Sequence, residues 1–129
     1  VVNTQIKPFA HAEQQAQLYA KFLGQLDPIL IQGINTVFIH PGDPLFSGPV
    51  GSIIAHIGRA ETDYIPRGVL EEVMAHEAIH ASIDPLYWNA GPWVRAQKSD
   101  VNFVTKYSRD FPEREDLAES YVSYLILLI

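Results

Sequence analysis

The spacing of apolar residues predicts a helix near the start of the chain and a small sheet after it. Leu18 and Phe22 recur on one side of residues 10–26, whose other side is mostly polar, and this pattern is typical of an amphipathic helix. Residues 35–40 and 52–57 are rich in β-branched and aromatic side chains, which predicts two strands. A strong turn follows the first of them, so we expect the two strands to pair antiparallel.

Apolar residues cover nearly the whole surface of a second predicted helix, residues 69–83. Leu70 and Met74 form one row along this helix, and Val69 and Val73 form the next. A helix with so little polar surface is expected to be buried on nearly all sides. Any polar side chain on it therefore needs a partner.

The rest of the chain is predicted to form loops and three further helices. Residues 85–92 are predicted as a loop, followed by short helices over 92–98 and 101–107. Pro112 suits the first turn of a last helix, because proline lacks the amide hydrogen that is unused there. Together with the predicted strands, these helices indicate an α+β fold.

Composition and charge limit the classes of protein that need to be considered. The chain has 129 residues, 47% of them hydrophobic and 19% charged, which is typical of one folded domain over residues 1–129. A net charge of −6 without a Lys/Arg cluster argues against nucleic acid as a partner. The absence of cysteine excludes disulfides and thiolate metal sites. No apolar run reaches the length of a membrane span.

The two ends of the sequence suggest processing. It begins with Val1 and stops within an apolar segment at Ile129, so we expect a chain trimmed at both ends. This leaves the compartment open, with a secreted or periplasmic location favoured over a cytoplasmic one. The oligomeric state is left open as well.

The second helix contains the pentapeptide His76-Glu77-Ala78-Ile79-His80. Residues four apart on a helix have Cβ atoms roughly 5–6 Å apart, so the two imidazoles can bind one Zn²⁺ ion. Glu77 lies about 100° further round the helix, where its carboxylate can take a proton from a water molecule that the metal activates. The alternative is a polar cluster satisfied inside the core. The cost of burying these three groups without strong partners favours the metal.

Two histidines leave a catalytic zinc site one protein ligand short. The last helix offers Glu115, Asp116 and Glu119 as candidates. Glu115 and Glu119 share a stripe with Val122 and Ile126 that is predicted to face inward, whereas Asp116 shares its stripe with serines and is predicted to face water. Acidic residues at a helix start also complement the helix dipole, which would explain Glu115 without a metal. That explanation suits Glu119 less well, because it lies a turn further in.

These two motifs carry a resemblance to a known family. His76-Glu77-x-x-His80 with the later Glu115-Asp116-Leu117-Ala118-Glu119 resembles the gluzincin branch of the zincin metallopeptidases, over roughly residues 68–129. The resemblance implies one zinc ion bound by His76, His80 and Glu115, with Glu119 orienting a zinc-bound histidine. It also implies a zincin-like α+β domain with an N-terminal helix on a small mixed sheet, an active-site helix and a C-terminal glutamate helix.

Three residues outside the motifs have candidate roles. The resemblance suggests that Tyr107, eight residues before Glu115, stabilises the oxyanion, although it also suits aromatic packing under the last helix. His56 could line a cleft in which an edge strand binds substrate, or it could be an ordinary packing histidine. Asp84 would lie roughly 6 Å along the helix from His80, too far to bind the same ion. We expect it to accept backbone hydrogen bonds from the segment that follows.

The sequence thus favours zinc-dependent hydrolysis of a peptide or protein substrate, with Glu77 as general base. A second interpretation is a non-catalytic module in which zinc stabilises the fold and a peptide or protein binds along the sheet edge. A third is a metal-free fold with an accidental pentapeptide. Three protein ligands plus an open position would favour the enzyme, and four protein ligands the structural site.

Overall fold

Helices make up most of the chain in the computed structural model, which describes residues 1–128. A π-helical turn covers Ala60–Tyr64. No helix among the described residues is both long and apolar enough to cross a bilayer. The elements in chain order are α1 (Phe9–Gln25), α2 (Pro28–Ile31), β1 (Thr36–His40), β2 (Ser52–His56), α3 (Ile57–Arg59), α4 (Leu70–Ser82), α5 (Asp84–Tyr87), α6 (Gly91–Ser99), α7 (Lys106–Asp110) and α8 (Pro112–Leu127).

The two strands form a parallel sheet, so the predicted antiparallel pairing is wrong. The chain leaves β1 and crosses to the far side of β2, where Ser47 pairs with Ile54 in the antiparallel direction through backbone hydrogen bonds of 3.1 and 2.8 Å. At the other edge, Val2 bridges to Ile39 in parallel. The small mixed sheet of the prediction is therefore a two-stranded parallel sheet with a single antiparallel bridge at one edge.

The central element is α4, which confirms the prediction of a helix over residues 69–83 that is buried on nearly all sides. It contacts α1, α2, α8 and β2. Burying this much apolar surface is the main source of stability in such a domain. The buried residues of α4 are Leu70, Met74, Ala75, Glu77, Ala78, Ile79, Ala81 and Ser82.

The last helix, α8, begins at Pro112 as expected and packs on α4 through the buried Ala118 and Val122. The predicted inward stripe does not extend to its end, because Ile126 is exposed. The prediction that Asp116 faces water is wrong. Its carboxylate is buried and accepts a hydrogen bond of 2.9 Å from the side chain of Gln97 in α6.

The segment between α4 and α8 is only partly as predicted. The helix over 92–98 is confirmed by α6, but the loop over 85–92 contains the short helix α5. The prediction of a helix over 101–107 is wrong, because residues 101–105 are not helical and α7 begins after Thr105. The hydroxyl of Thr105 accepts a hydrogen bond of 3.0 Å from the amide of Ser108, which fixes the start of α7 there.

The loop after β1 lies directly against α4 at Gly48. A Cβ atom at this position would lie 2.1 Å from the carbonyl oxygen of Glu77 and 2.9 Å from the Cβ of His80. Only a glycine permits such an approach. The edge of the β structure is therefore held beside the pentapeptide of α4.

Candidate metal centre

The contact between α4 and α8 brings together the three residues predicted to bind metal. His76 and His80 lie one turn apart on α4, and Glu115 lies in the first turn of α8. The Nε2 atoms of the two histidines are 3.0 Å apart. Oε2 of Glu115 is 3.1 Å from Nε2 of His80 and 3.2 Å from Nε2 of His76.

These three atoms form a nearly equilateral triangle that fits a zinc ion. Ligand atoms about 2.0–2.1 Å from a tetrahedral zinc ion lie about 3.3 Å from one another, close to the observed edges. Two imidazoles and a carboxylate are also a donor set found in catalytic zinc sites. Within residues 1–128 this is the one group of three or more His or acidic side chains with ligand atoms close enough to hold an ion.

A carboxylate also contacts the second ring nitrogen, Nδ1, of each histidine. Oε1 of Glu119 is 3.1 Å from Nδ1 of His76, and Oδ2 of Asp84 is 2.5 Å from Nδ1 of His80. A histidine that binds metal through one nitrogen commonly donates the hydrogen of the other to such a group. The prediction that Asp84 accepts backbone hydrogen bonds is wrong, because its carboxylate contacts His80 instead. Its position four residues after His80 was a usable signal for this contact.

The charges around the triangle favour a cation at its centre. Burial lowers the pKa of His80, but hydrogen bonds and negative charges from Asp84 and Glu115 outweigh burial and raise that pKa to about 10. Burial raises the pKa of Glu115, but hydrogen bonds from His76 and His80 outweigh it and hold that pKa far below its usual value. Both shifts mean that positive charge is stabilised between these groups, which is what a metal ion supplies.

Glu77 lies beside the ligands and lines the cavity onto which they open. Its side chain is largely buried, and this burial raises the pKa of its carboxyl group, although the neighbouring His76 and His80 oppose the rise. A carboxyl group with a raised pKa holds a proton more readily than an exposed one. This is the property that proton transfer near neutral pH requires.

The ligands open onto a cavity of about 760 Å³. One wall is the loop after β1, with Pro49 and Val50, and another is formed by Pro85 and Trp88 at α5. Val50 is 76% exposed and Trp88 is 50% exposed, so the cavity presents apolar surface to whatever enters it. A cavity of this volume is large enough for several residues of a peptide.

Tyr107 is half-exposed and lines this cavity and a second one of about 310 Å³. Its hydroxyl donates a hydrogen bond of 3.1 Å to Oε1 of Glu115. Burial and the negative charge of Glu115 raise the pKa of the Tyr107 hydroxyl, so it remains a donor. Tyr107, His76 and Glu77 line both cavities, so both cavities border the candidate site.

His56 lies apart from these residues. It ends β2 beside His40, with ring centroids 5.8 Å apart, and it is not among the residues that line the cavity at the ligands. Burial and the neighbouring His40 lower the pKa of His56. The predicted site residues that the structure does bring together are His76, Glu77, His80, Tyr107, Glu115 and Glu119.

Comparison of the chain with protein-family models, curated proteins and solved structures found no match. The site is therefore interpreted from its own geometry. Fold and site together define a mostly helical α+β protein with a two-stranded parallel sheet and a candidate His-His-Glu metal site.

Proposed function

We propose that this protein is a zinc-dependent metallopeptidase of the gluzincin type. The observation that carries the proposal is the triangle of His76, His80 and Glu115, with Glu77 beside it, at the wall of an open cavity. The donor set alone is not decisive, because two histidines and a carboxylate also bind iron in oxygenases. Glu77 and Tyr107 favour hydrolysis, since they supply a base and a hydrogen-bond donor next to the ligands.

The chemistry is divided between the metal and the protein. When bound, zinc supplies Lewis acidity, which polarises a carbonyl group and lowers the pKa of a water molecule. Glu77 takes the proton from the attacking water and passes it to the amine that leaves. Its burial keeps bulk water away from the transferred proton and supports this role.

Tyr107 is assigned to the oxyanion that develops on the scissile carbonyl. Its hydroxyl donates to Glu115, and Tyr107 lines the cavity. We infer that the hydroxyl exchanges this acceptor for the oxyanion when substrate is bound. A hydrogen bond that strengthens as negative charge develops lowers the barrier of the reaction. Glu115 would hold the ion through its other oxygen, Oε2.

The substrate is proposed to be a peptide segment in extended conformation. Ser47 directs both of its backbone hydrogen bonds to Ile54. In a regular antiparallel pair, the backbone groups of the two neighbouring residues, here Phe46 and Gly48, point to the opposite side. All three residues line the cavity. This edge, and not the strand that carries His56, is the place where a substrate strand would add.

The non-catalytic zinc-stabilised module is the second candidate. It would be favoured by a fourth protein ligand, because structural zinc sites are closed. Among residues 1–128 the candidate group contains three residues, and Asp84 and Glu119 contact the Nδ1 atoms that point away from the triangle. This arrangement supports the open site of an enzyme over the closed site of a module.

The proposal is tested by Glu77→Gln. We expect the variant to bind zinc as the wild type does and to cleave a mixed peptide library about 10²–10⁴-fold more slowly, because its amide cannot accept the proton. Glu71→Gln, an exposed change in the first turn of the same helix, is the matched control and should retain activity. Full activity in Glu77→Gln would reject this mechanism, and a wild-type protein that binds zinc without cleaving peptides would favour the module.

A further inference from the structure

Asp84 occupies a position that neither motif accounts for. It lies four residues after His80, just beyond the end of α4, and it begins the short helix α5. Its Oδ2 atom lies 2.5 Å from Nδ1 of His80, on the opposite side of the ring from the triangle of ligand atoms. Asp84 therefore contacts the histidine without approaching the place of the ion.

The contact selects one state of the His80 ring. A neutral imidazole carries its hydrogen on one of the two nitrogens, and only the other has a lone pair for a metal. A carboxylate accepts hydrogen bonds and does not donate them, so Asp84 retains a hydrogen at Nδ1, and Nε2 is the nitrogen whose lone pair is available when a metal ion displaces its hydrogen. Nε2 is the atom that faces Glu115 and His76.

The burial of Asp84 is not explained by its position at the start of a helix. Acidic residues at a helix start complement its dipole from an exposed position, whereas the Asp84 side chain is only 17% exposed. A carboxylate at this depth needs a charged or donating partner, and among the described residues the contact it makes is with His80. Its position behind a ligand, and not the helix start, explains its burial.

We propose that Asp84 is a positioning residue of the metal centre, which holds His80 with Nε2 directed at the ion. Glu119 stands in the same relation to His76, so each histidine ligand is oriented by its own carboxylate from a separate element. The inference rests on the metal site of the proposed function and not on hydrolysis. Asp84 also starts α5, which places Trp88 at the cavity wall, so the same residue connects the ligand to that wall.

The test is the zinc affinity of the full chain, measured on metal-free protein by competition with a chelator. We expect Asp84→Ala to bind zinc about 10–100-fold more weakly than the wild type, as is usual when such a supporting group is lost. Asp84→Asn should lose less, because its amide oxygen still accepts the hydrogen of Nδ1 but lacks the charge. Asp100→Ala removes an exposed aspartate that does not line the cavity, and it should bind zinc as the wild type does.

A second measurement separates orientation of the ligand from a general loss of structure. The absorption spectrum of the Co²⁺-loaded protein depends on the geometry of the ligands, so we expect it to change in both Asp84 variants and not in Asp100→Ala. If Asp84→Ala does not fold, the Asp84→Asn variant of equal size supplies the measurement. Zinc affinity within twofold of the wild type, with an unchanged Co²⁺ spectrum, would overturn the role of Asp84 while leaving the proposed function intact. A wild-type protein that binds no zinc would overturn both.

Discussion

At the scale of single residues, Tyr107 contacts a candidate ligand and borders both cavities. We expect Tyr107→Phe to lower kcat for peptide cleavage about 10²–10³-fold with little change in KM, because the lost hydrogen bond acts on the oxyanion. Zinc content should be unchanged. Tyr87→Phe changes an exposed tyrosine that lines neither cavity, and as the control it should retain wild-type kcat. If Tyr107→Phe also retains it, Tyr107 has no part in the reaction.

A second tyrosine gives a prediction on stability. Tyr19 is 1% exposed, and burial, aided by the negative charge of Glu61, raises the pKa of its hydroxyl above the ordinary value of 10.0. Unfolded chains ionise this group as the pH passes about 10, whereas the folded protein keeps it neutral. Its contribution to stability is therefore present below that pH and decreases as the pH rises above it.

We accordingly expect Tyr19→Phe to flatten the alkaline loss of stability, which for one group is at most about 1.4 kcal/mol per pH unit. The two proteins should differ by no more than about 1 kcal/mol at pH 7. Urea unfolding at a series of pH values between 7 and about 11 measures the difference. Equal slopes above pH 10 in both proteins would contradict this interpretation of Tyr19.

Among single residues, those that local spacing connects were the easiest to predict. His76, Glu77 and His80 follow from helical geometry alone, because residues four apart on one helix are neighbours. Asp84 was missed because its distance along the helix keeps it from the ion, whereas the same spacing of four residues brings it to the other ring nitrogen of His80. The orientation of Asp116 was wrong for another reason: α6 covers that face of α8 through Gln97, and a helix wheel does not show what packs on each face.

At the scale of elements, the approach of the loop after β1 to α4 positions the site. Gly48 permits this approach. Gly33 also lies close to α4 at another point, where a Cβ atom added to Gly33 would lie 2.5 Å from the Cβ of Ser82. The carbonyl of Glu77 against Gly48 belongs to helix backbone, which cannot move aside easily. These contacts fix the distance between the sheet edge and the pentapeptide.

We therefore expect Gly48→Ala to destabilise the protein by about 1–3 kcal/mol, the usual cost of inserting a methyl group into a filled space. Its zinc affinity should also fall, because Glu77 and His80 are displaced. Gly24→Ala is the control: no atom lies within 4 Å of the added methyl, and alanine should stabilise helix α1 by about 0.5–1 kcal/mol. Urea unfolding of the metal-free proteins measures both, and equal stability of Gly48→Ala and the wild type would contradict the close approach.

The pairing direction of the two strands could not be predicted from the sequence. Their positions were predicted because β-branched residues cluster there, but pairing direction depends on the route of the loop. That loop crosses to the far edge of β2 and adds Ser47 there, which forces the two main strands to run parallel. A turn signal after β1 shows that the chain reverses locally and not where it goes next.

At the scale of the whole molecule, the candidate site joins parts of the chain that are far apart in sequence. His80 and Glu115 are separated by 35 residues, and the cavity wall comes from the loop before β2. An ion that binds only the folded chain stabilises it by an amount that grows with the ratio of free metal to its dissociation constant. We expect the protein to unfold at a higher temperature with zinc than after treatment with a chelator.

The measurement that tests the central claim most directly is a crystal structure with anomalous data collected at the zinc absorption edge. The account requires one anomalous peak about 2.0–2.1 Å from Nε2 of His76, Nε2 of His80 and an oxygen of Glu115, with a remaining position open to the cavity. A peak that lacks any of these three ligands would contradict the account. So would a fourth protein ligand closing the site, or protein that binds no zinc when it is supplied.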